Sequence, residues 1–168
     1  MGRTVRTEDR IPPFQAFLEE NQAVVLRFLL ASVGPQEADD CFQETFLAAL
    51  QAYPKLRDAT NLRGWVLAIA TRKAIDAGRA RGRRAVPVAD PPEDAAGHAE
   101  DLDTGLLFDP VWDAVRELPP RQRVALVHRV VLDRSYAELA EAMGGTEEGA
   151  RANVYQALKK LRTEVTRT

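Results

Sequence analysis

Apolar residues in the first part of the chain recur at spacings of three, four and seven, which is the period of a helix buried on one face. The first such stretch follows Pro12 and Pro13, which suit a first helical turn, and Gly34-Pro35 ends it. Its apolar stripe consists of Phe14, Phe17, Leu18, Val25, Phe28 and Leu29. No stretch alternates with period two for long enough to predict a strand, so we expect an all-α fold.

Two more helices are predicted before residue 84. The second helix ends at Pro54, and its apolar stripe consists of Ala38, Phe42, Phe46, Ala49 and Tyr53. A loop at residues 55–60 follows, and Asn61 is placed to cap the third helix. The spacing turns Leu62, Val66 and Ile69 inward. It leaves Arg63 and Arg72 toward solvent or a ligand.

The C-terminal part predicts shorter helices with defined boundaries. Pro119-Pro120 separates two of them, and Ser135 with Glu138 has the pattern of a capping box. Gly144-Gly145-Thr146 gives a tight turn before the last helix. A helix pair around such a turn is typical of a helix-turn-helix and equally of an ordinary helical hairpin. The inner face of the last helix consists of Ala150, Val154, Ala157, Leu158 and Leu161.

The outer face of this last helix carries polar side chains that suit nucleic-acid recognition. They are Arg151, Asn153, Tyr155, Gln156, Lys159 and Arg162. Arg, Asn and Gln are the residue types that make bidentate contacts with base edges in the major groove.

Residues 85–108 break the helical pattern. They contain six acidic residues, no Lys or Arg, and the three prolines Pro87, Pro91 and Pro92. Such a segment neither sustains a helix nor buries much surface, so it predicts a flexible acidic linker. The 168 residues then divide into two small helical domains at 1–84 and 109–168. The 24 linker residues reach about 80 Å when extended, at about 3.3 Å per residue.

The net charge of −2 at first argues against a nucleic-acid partner, but the charges are unevenly distributed along the chain. Residues 1–84 carry 13 basic and 10 acidic side chains, and residues 109–168 carry 10 and 9. The linker therefore masks two mildly basic ends. The densest basic runs lie at 72–84 and 151–167, and such runs are typical of phosphate contacts or of solvated helix faces.

Other chemistry has little support in the sequence. Cys41 is the one cysteine, which excludes an internal disulfide and favours a small buried residue over a nucleophile. His98 and His128 lack a second ligand at metal spacing, and no P-loop is present. We therefore expect no catalytic site, no metal and no cofactor. No apolar run approaches the about 18 residues that cross a bilayer, and no signal peptide is apparent, so we expect a cytoplasmic protein without membrane insertion.

Four ordered motifs carry a resemblance to a known family: ADDCFQETFLAAL, NLRGWVLAIATRKAIDAGRARGRR, LPPRQRVAL and SYAELAEAMGGTEEGARANVYQALKKLR. They resemble the bacterial RNA polymerase sigma factors of the extracytoplasmic-function (ECF) group, over about residues 14–84 and 109–162. The resemblance implies two helical domains, the first recognising and opening the promoter minus-10 element and the second binding the minus-35 element. It also implies a non-catalytic subunit that directs core RNA polymerase to promoters.

The resemblance implies roles for individual residues. The polymerase-binding residues would be Asp39, Asp40, Gln43 and Glu44. The minus-10 contacts would be Asn61, Arg63, Trp65, Arg72, Lys73 and Arg79, with Trp65 either stacking on a base or packing in the core. The loop at 56–61 would capture a flipped base. The minus-35 contacts would be Arg151, Asn153, Tyr155 and Gln156, with Lys159 and Lys160 on phosphates.

Two departures from the family pattern change what is expected. Thr71-Arg72 stands where family members often have Arg-Asn, so the asparagine expected to read a minus-10 base is missing. Asn153 and Gln156 occupy positions that are often Arg, which predicts weaker phosphate attraction and a smaller salt dependence of binding.

Two alternatives to this interpretation stay open at this point. A free-standing helix-turn-helix regulator would need a dimer surface but not the acidic face around Asp40, and a helical protein-interaction adaptor would give no specific transcription start. Family members are commonly inhibited by an anti-sigma partner covering both domains, and we expect one here. The acidic linker is further hypothesised to mimic nucleic-acid charge inside the polymerase.

Overall fold

The computed structural model describes residues 10–83 and 110–167, and within these ranges it is entirely α-helical apart from short turns and loops. The helices are α1 Phe14–Val33, α2 Pro35–Ala52, α3 Leu62–Arg83, α4 Pro110–Arg116, α5 Pro120–Val130, α6 Tyr136–Met143 and α7 Glu147–Arg167. A 3₁₀ turn at Tyr53–Lys55 follows α2. The predicted all-α class is confirmed. The predicted linker and His98 lie outside the described residues.

Prolines and one glycine set the boundaries of the first two helices. Pro13 occupies the N-cap of α1, so the helix begins at Phe14, immediately after the proline pair predicted to form its first turn. Gly34 adopts φ 84°, a left-handed conformation that glycine tolerates, and its N–H donates to the Leu30 carbonyl. Pro35 then opens α2, where its missing N–H costs nothing.

The start of α3 shows the predicted cap. The Asn61 Oδ1 atom accepts a hydrogen bond of 3.0 Å from the Gly64 N–H. Val66 and Ile69 are buried, whereas Arg63 and Arg72 are exposed, as the spacing predicts. The helix continues without a break to the basic residues at its C-terminal end.

The caps of the C-terminal helices also match the sequence prediction. The Ser135 Oγ atom accepts from the Glu138 N–H at 3.1 Å, while the Glu138 carboxylate accepts from the Ser135 N–H at 3.0 Å. The turn between α6 and α7 uses Gly144 at φ 69°, and Thr146 Oγ1 accepts from the Gly149 N–H. Helices α6 and α7 therefore form the predicted helix-turn-helix.

One predicted core position on α7 is wrong. Ala150, Val154 and Ala157 are buried, but the Leu158 side chain is 47% exposed. Residue 158 lies about 100° around the helix from Ala157, at the edge of the stripe that α5 and α6 cover.

The C-terminal helices pack directly on the N-terminal ones, which the sequence does not predict. Helix α5 contacts α1 and α3, helix α6 contacts α3, and helix α4 contacts α1. Buried apolar residues from both ranges form one continuous core. Two segments expected to be independent therefore share an interface in this structure. Among the described helices, none combines the length and apolar character that a membrane crossing requires.

Candidate functional site

The four predicted polymerase-binding residues form one exposed face of α2, which we call the acidic face: Asp39, Asp40, Gln43 and Glu44. Phe46, on the opposite side, is buried as predicted. Thr45 is buried beside it, and its Oγ1 donates to the Cys41 carbonyl at 2.6 Å. The sequence therefore predicted correctly which side of α2 faces outward.

Two exposed leucines extend the acidic face, and the sequence analysis missed them. Leu47 is 59% exposed and Leu50 is 49% exposed. Leu47 lies one turn beyond Gln43, and Leu50 lies one turn beyond Leu47, so both continue the same side of the helix. Counting exposed positions along α2 in steps of three and four would have identified them. Together the residues form a surface with acidic and apolar parts.

Cys41 lies beneath this surface, and its thiol is unreactive. Its side chain is buried, and this burial, together with the charges of Glu37, Glu44 and Asp40, raises the pKa of its thiol to about 11. A thiol that is neutral near pH 7 is a poor nucleophile. The described residues also contain no group of His, Cys, Asp and Glu side chains able to hold a metal ion.

The predicted minus-10 residues on α3 do not form a single cluster. Arg72 and Arg79 are exposed seven residues apart, which places them on one side of the helix. Arg63 is also exposed, but nine residues of helix before Arg72 rotate it to the other side. Lys73 is half-buried and lines a cleft of about 1140 Å³ that it shares with Asp40 and Glu44. We call Arg72 and Arg79 the basic face.

Asn61 and Trp65 each make contacts within the protein, and these contacts leave fewer of their side-chain atoms available to bind DNA. The Oδ1 atom of Asn61 is engaged in the α3 cap, which leaves its Nδ2 group for other contacts. Trp65 is half-buried, and its ring centroid lies 5.7 Å from that of Phe17 and 6.3 Å from that of Tyr53. The structure thus places Trp65 at the edge of an aromatic cluster of the core.

The loop before Asn61 is held by its own side chains. The Asp58 carboxylate accepts hydrogen bonds from the Thr60 N–H and the Thr60 hydroxyl, and these bonds lower the pKa of Asp58. The turn therefore has a defined shape before any ligand arrives.

Thr71, one of the residues that departs from the family pattern, faces the interior. It is fully buried, and its Oγ1 donates to the Leu67 carbonyl at 2.6 Å. The same Oγ1 lies 2.9 Å from Nε2 of His128, a residue of α5. The residue that departs from the family pattern therefore forms a contact between the two described ranges of the chain.

Most of the predicted minus-35 residues are exposed on α7, and we call the surface they form the reading face: Arg151, Tyr155, Gln156, Lys159 and Lys160. Arg151, Tyr155 and Lys159 share one side of the helix, whereas Gln156 and Lys160 lie further around it, with Lys160 on the side opposite Arg151. Asn153 does not join them. It is half-buried, and its Nδ2 donates to the Gly149 carbonyl one turn earlier at 3.0 Å. Its amide is directed along its own helix.

Tyr136 on α6 contacts two arginines near the reading face. The guanidinium carbon of Arg129 lies 4.3 Å from the centroid of the Tyr136 ring, and that of Arg151 lies 5.0 Å from it. Arg151 also pairs with Glu147 at 3.7 Å. Tyr136 and Arg129 were missed by the sequence analysis because they lie outside the last helix, and only the fold brings them to Arg151.

Two family models match separate parts of the chain. Residues 17–84 match the description "Sigma-70 region 2", and residues 108–161 match "Sigma-70, region 4". These ranges contain the acidic and basic faces in the first case and the helix-turn-helix in the second.

Several known proteins are similar to the chain over most of its length. The ECF RNA polymerase sigma factor SigD of Mycobacterium tuberculosis is 35% identical over 158 residues, covering 88% of this chain and 74% of the relative. The ECF RNA polymerase sigma factor SigC of the same species is 34% identical over 157 residues, covering 88% and 80%. Among solved structures, the sigma factor RpoE of Bartonella quintana, in complex with the anti-sigma factor NepR, matches with TM-score 0.67 at 21% identity. That match covers 91% of this chain and 96% of the other, and at this identity it shows the fold alone.

Proposed function

The chain belongs to the ECF group of RNA polymerase sigma factors, and on that premise we propose how its three faces divide the work of transcription initiation. The acidic face of α2 binds core polymerase, α3 with the preceding loop binds the minus-10 element, and the reading face of α7 binds the minus-35 element. Because the chain belongs to this family, the alternative of a free-standing regulator is excluded. Such factors direct the polymerase and are not themselves catalysts, so no cofactor is required.

The observation that carries this proposal is the composition of the α2 surface. Asp39, Asp40 and Glu44 lie beside the exposed Leu47 and Leu50 on one side of α2, and protein interfaces combine apolar and polar parts in this way. The carboxylates attract a basic partner and set the orientation, while burial of the two leucines supplies affinity. A regulator acting without polymerase does not need the acidic part of this surface.

The separation of arginines on α3 suits contact with more than one stretch of DNA backbone. Arg72 and Arg79 would hold one strand, and Arg63, on the other side of the helix, would meet a different segment. The loop at 56–61, fixed by Asp58 and Thr60, would receive the flipped base. Trp65 would contribute mainly to the aromatic part of the core, through its contacts with Phe17 and Tyr53.

At the minus-35 element, α7 would lie in the major groove as the second helix of a helix-turn-helix. Arg151 is held in place by Tyr136 and Glu147, which suits a base-reading side chain. Tyr155 and Gln156 would read neighbouring bases, and Lys159 and Lys160 would bind phosphates. Asn153 would contribute least, because its amide already bonds to the Gly149 carbonyl.

We also infer an anti-sigma partner and a cytoplasmic location. The Bartonella quintana sigma factor similar in fold was solved with an anti-sigma factor, and the exposed apolar residues of α2 and α7 would suit such a partner here. A factor that binds core polymerase must share its compartment.

Gel filtration with core polymerase tests the polymerase contact. The wild-type chain should co-elute with core enzyme, and the Asp40→Lys/Glu44→Lys variant should elute as free protein. Glu19→Lys/Glu20→Lys is the matched control, because it changes two exposed acids on α1 by the same charge and should still co-elute. Co-elution of the Asp40→Lys/Glu44→Lys variant would contradict the proposed docking, and failure of the wild-type chain to co-elute would contradict the function itself.

A further inference from the structure

Three arginines converge at one end of the large cleft beside α2. Arg81 comes from the end of α3, Arg116 from α4 and Arg123 from α5, and all three line the cleft. Burial lowers the pKa of both Arg116 and Arg123, and the charge of Arg81 lowers both further. Guanidinium groups repel one another, so bringing them together costs free energy unless negative charge balances them.

The carboxylates of the described residues supply this balance only in part. Arg116 pairs with Asp113 at 2.8 Å, but the Asp113 side chain is 75% exposed, so water screens the pair. The Arg123 residue is only 3% exposed, and its Nη1 donates to the Arg116 carbonyl. Among the described residues, Arg123 forms no ion pair and its Nε has no hydrogen-bond partner. A buried charge in this state is costly, so an anion at the cleft would stabilise it.

The N-terminus of α2 adds positive potential at the same end of the cleft. Gln36 and Glu37, in the first turn of this 18-residue helix, lie beside Arg81 and Arg116. Gly34 is the N-cap and has no side chain to accept from the first N–H groups. A Cβ atom on Gly34 would lie 3.3 Å from Nε of Arg116, so this cation lies against the positive end of the helix. Such an end disfavours cations and favours anions.

The opposite end of the cleft is acidic. Asp40, Glu44 and Asp76 line it, with Lys73 beside them. Carboxylates accept hydrogen bonds and repel a second anion, so this end suits hydroxyl and amino groups. Gln36 and Glu44 are eight residues apart on α2, a distance of about 12 Å at about 1.5 Å per residue. The cleft therefore suits a ligand with an anionic end and a hydrogen-bond-donating end.

We propose that this cleft binds a small ligand carrying a diphosphate group, with the phosphates on Arg81, Arg116 and Arg123. Arginine suits phosphate because its planar fork donates two parallel hydrogen bonds. A diphosphate carries several negative charges and balances more than one guanidinium. The cleft volume of about 1140 Å³ is enough for a nucleotide, because small-molecule pockets are typically about 300–1,000 Å³. The proposal does not depend on the roles assigned to the three faces.

Isothermal titration calorimetry of the intact chain tests the site with inorganic pyrophosphate and with ADP. Both probes should bind, because both carry the diphosphate, and adenosine should give no heat. ADP should bind more tightly than pyrophosphate, because its ribose and base supply donors for the acidic end. Pyrophosphate binding as tightly as ADP would overturn the role of the acidic end. The absence of heat from both probes at millimolar concentration would overturn the site.

A charge reversal at Arg81 locates the bound ligand. Arg81 is exposed, so Arg81→Glu leaves the core intact, and it should weaken ADP binding at least about tenfold by removing a charge-assisted hydrogen bond. Arg27→Glu is the matched control, because it makes the same charge change at an exposed position of α1 outside the cleft, and it should bind ADP as wild type does. Equal ADP affinities for the two variants would overturn the proposal.

Thermal unfolding provides a second readout on the same proteins. A ligand that binds only the folded chain raises its Tm. ADP should therefore raise the Tm of wild type and of Arg27→Glu, and it should leave that of Arg81→Glu unchanged. The melting curves without ligand also show that each variant is folded. An equal rise in Tm for all three proteins would place the ADP away from Arg81 and overturn the proposal.

Discussion

Thr71 accepts a hydrogen bond from His128 across 57 positions of sequence, inside a core that both halves of the chain build. The Thr71 hydroxyl satisfies a buried ring N–H that would otherwise have no partner.

Thr71→Val should therefore destabilise the intact chain. Valine keeps the shape but leaves the His128 Nε2–H buried without an acceptor, which costs about 1–3 kcal/mol. Urea unfolding of the full chain measures this loss. Thr163→Val is the control, because Thr163 makes the same kind of bond to a carbonyl one turn earlier on an exposed face of α7, and its change should stay within about 0.5 kcal/mol. Equal losses for the two variants would show that the cross-core bond contributes nothing.

Stability should fall as the pH is lowered from 7 to 5. His128 has a folded pKa of about 3, lowered by burial and by Arg134, against an ordinary value of about 6.5 in the unfolded chain. Between these values the unfolded chain binds the proton and the folded chain does not, so the stabilisation is complete above about pH 6.5 and declines below it.

The expected loss from this one residue is about 2 kcal/mol between pH 7 and pH 5. Unfolding curves at pH 7, 6 and 5 measure it, and His128→Gln should flatten the dependence because an amide does not titrate. The same slope in wild type and His128→Gln would mean that other groups cause it.

Tyr136 should determine how well Arg151 reads the minus-35 element. Tyr136→Leu removes the ring on which the guanidinium rests, and an exposed cation–π contact of about 0.5–1 kcal/mol corresponds to a two- to fivefold loss of affinity. Tyr136→Phe keeps the ring and should bind as wild type does. Fluorescence anisotropy with a minus-35 duplex from a mapped promoter measures both. In an Arg151→Ala background the two variants should be equal, and a persisting difference would assign the effect to something other than Arg151.

The salt dependence of minus-35 binding should increase when the reading face gains a cation. Gln156→Arg adds one exposed charge, and the slope of log affinity against log salt should steepen by about 0.9. Gln51→Arg adds the same charge on α2, away from the reading face, and should leave the slope unchanged. Equal slopes for wild type and Gln156→Arg would place residue 156 away from the phosphates.

The sequence predicted most accurately the contacts between residues that lie close together along the chain. The Asn61 cap and the Ser135–Glu138 capping box join residues three apart, so the pattern alone determines them. Leu158 was misjudged because helical spacing does not say how wide a stripe the neighbouring helices cover. Asn153 turned toward Gly149 because a local carbonyl satisfies its amide.

Features that depend on distant parts of the chain could not be predicted in this way. Nothing in the periodicity of α5 distinguishes a histidine that faces its own domain from one that enters the other half of the molecule. The stacking of Arg151 on Tyr136 likewise depends on the angle between α6 and α7. The two halves pack against each other in the structure, whereas the acidic linker had suggested two domains without a shared interface.

Run-off transcription with core polymerase, on a promoter identified by mapping transcript starts after induced expression, tests the central claim most directly. The wild-type chain should produce one specific start, with the Asp40→Lys/Glu44→Lys variant inactive and the Glu19→Lys/Glu20→Lys control active. A wild-type chain that gives no start beyond core polymerase alone would contradict the account.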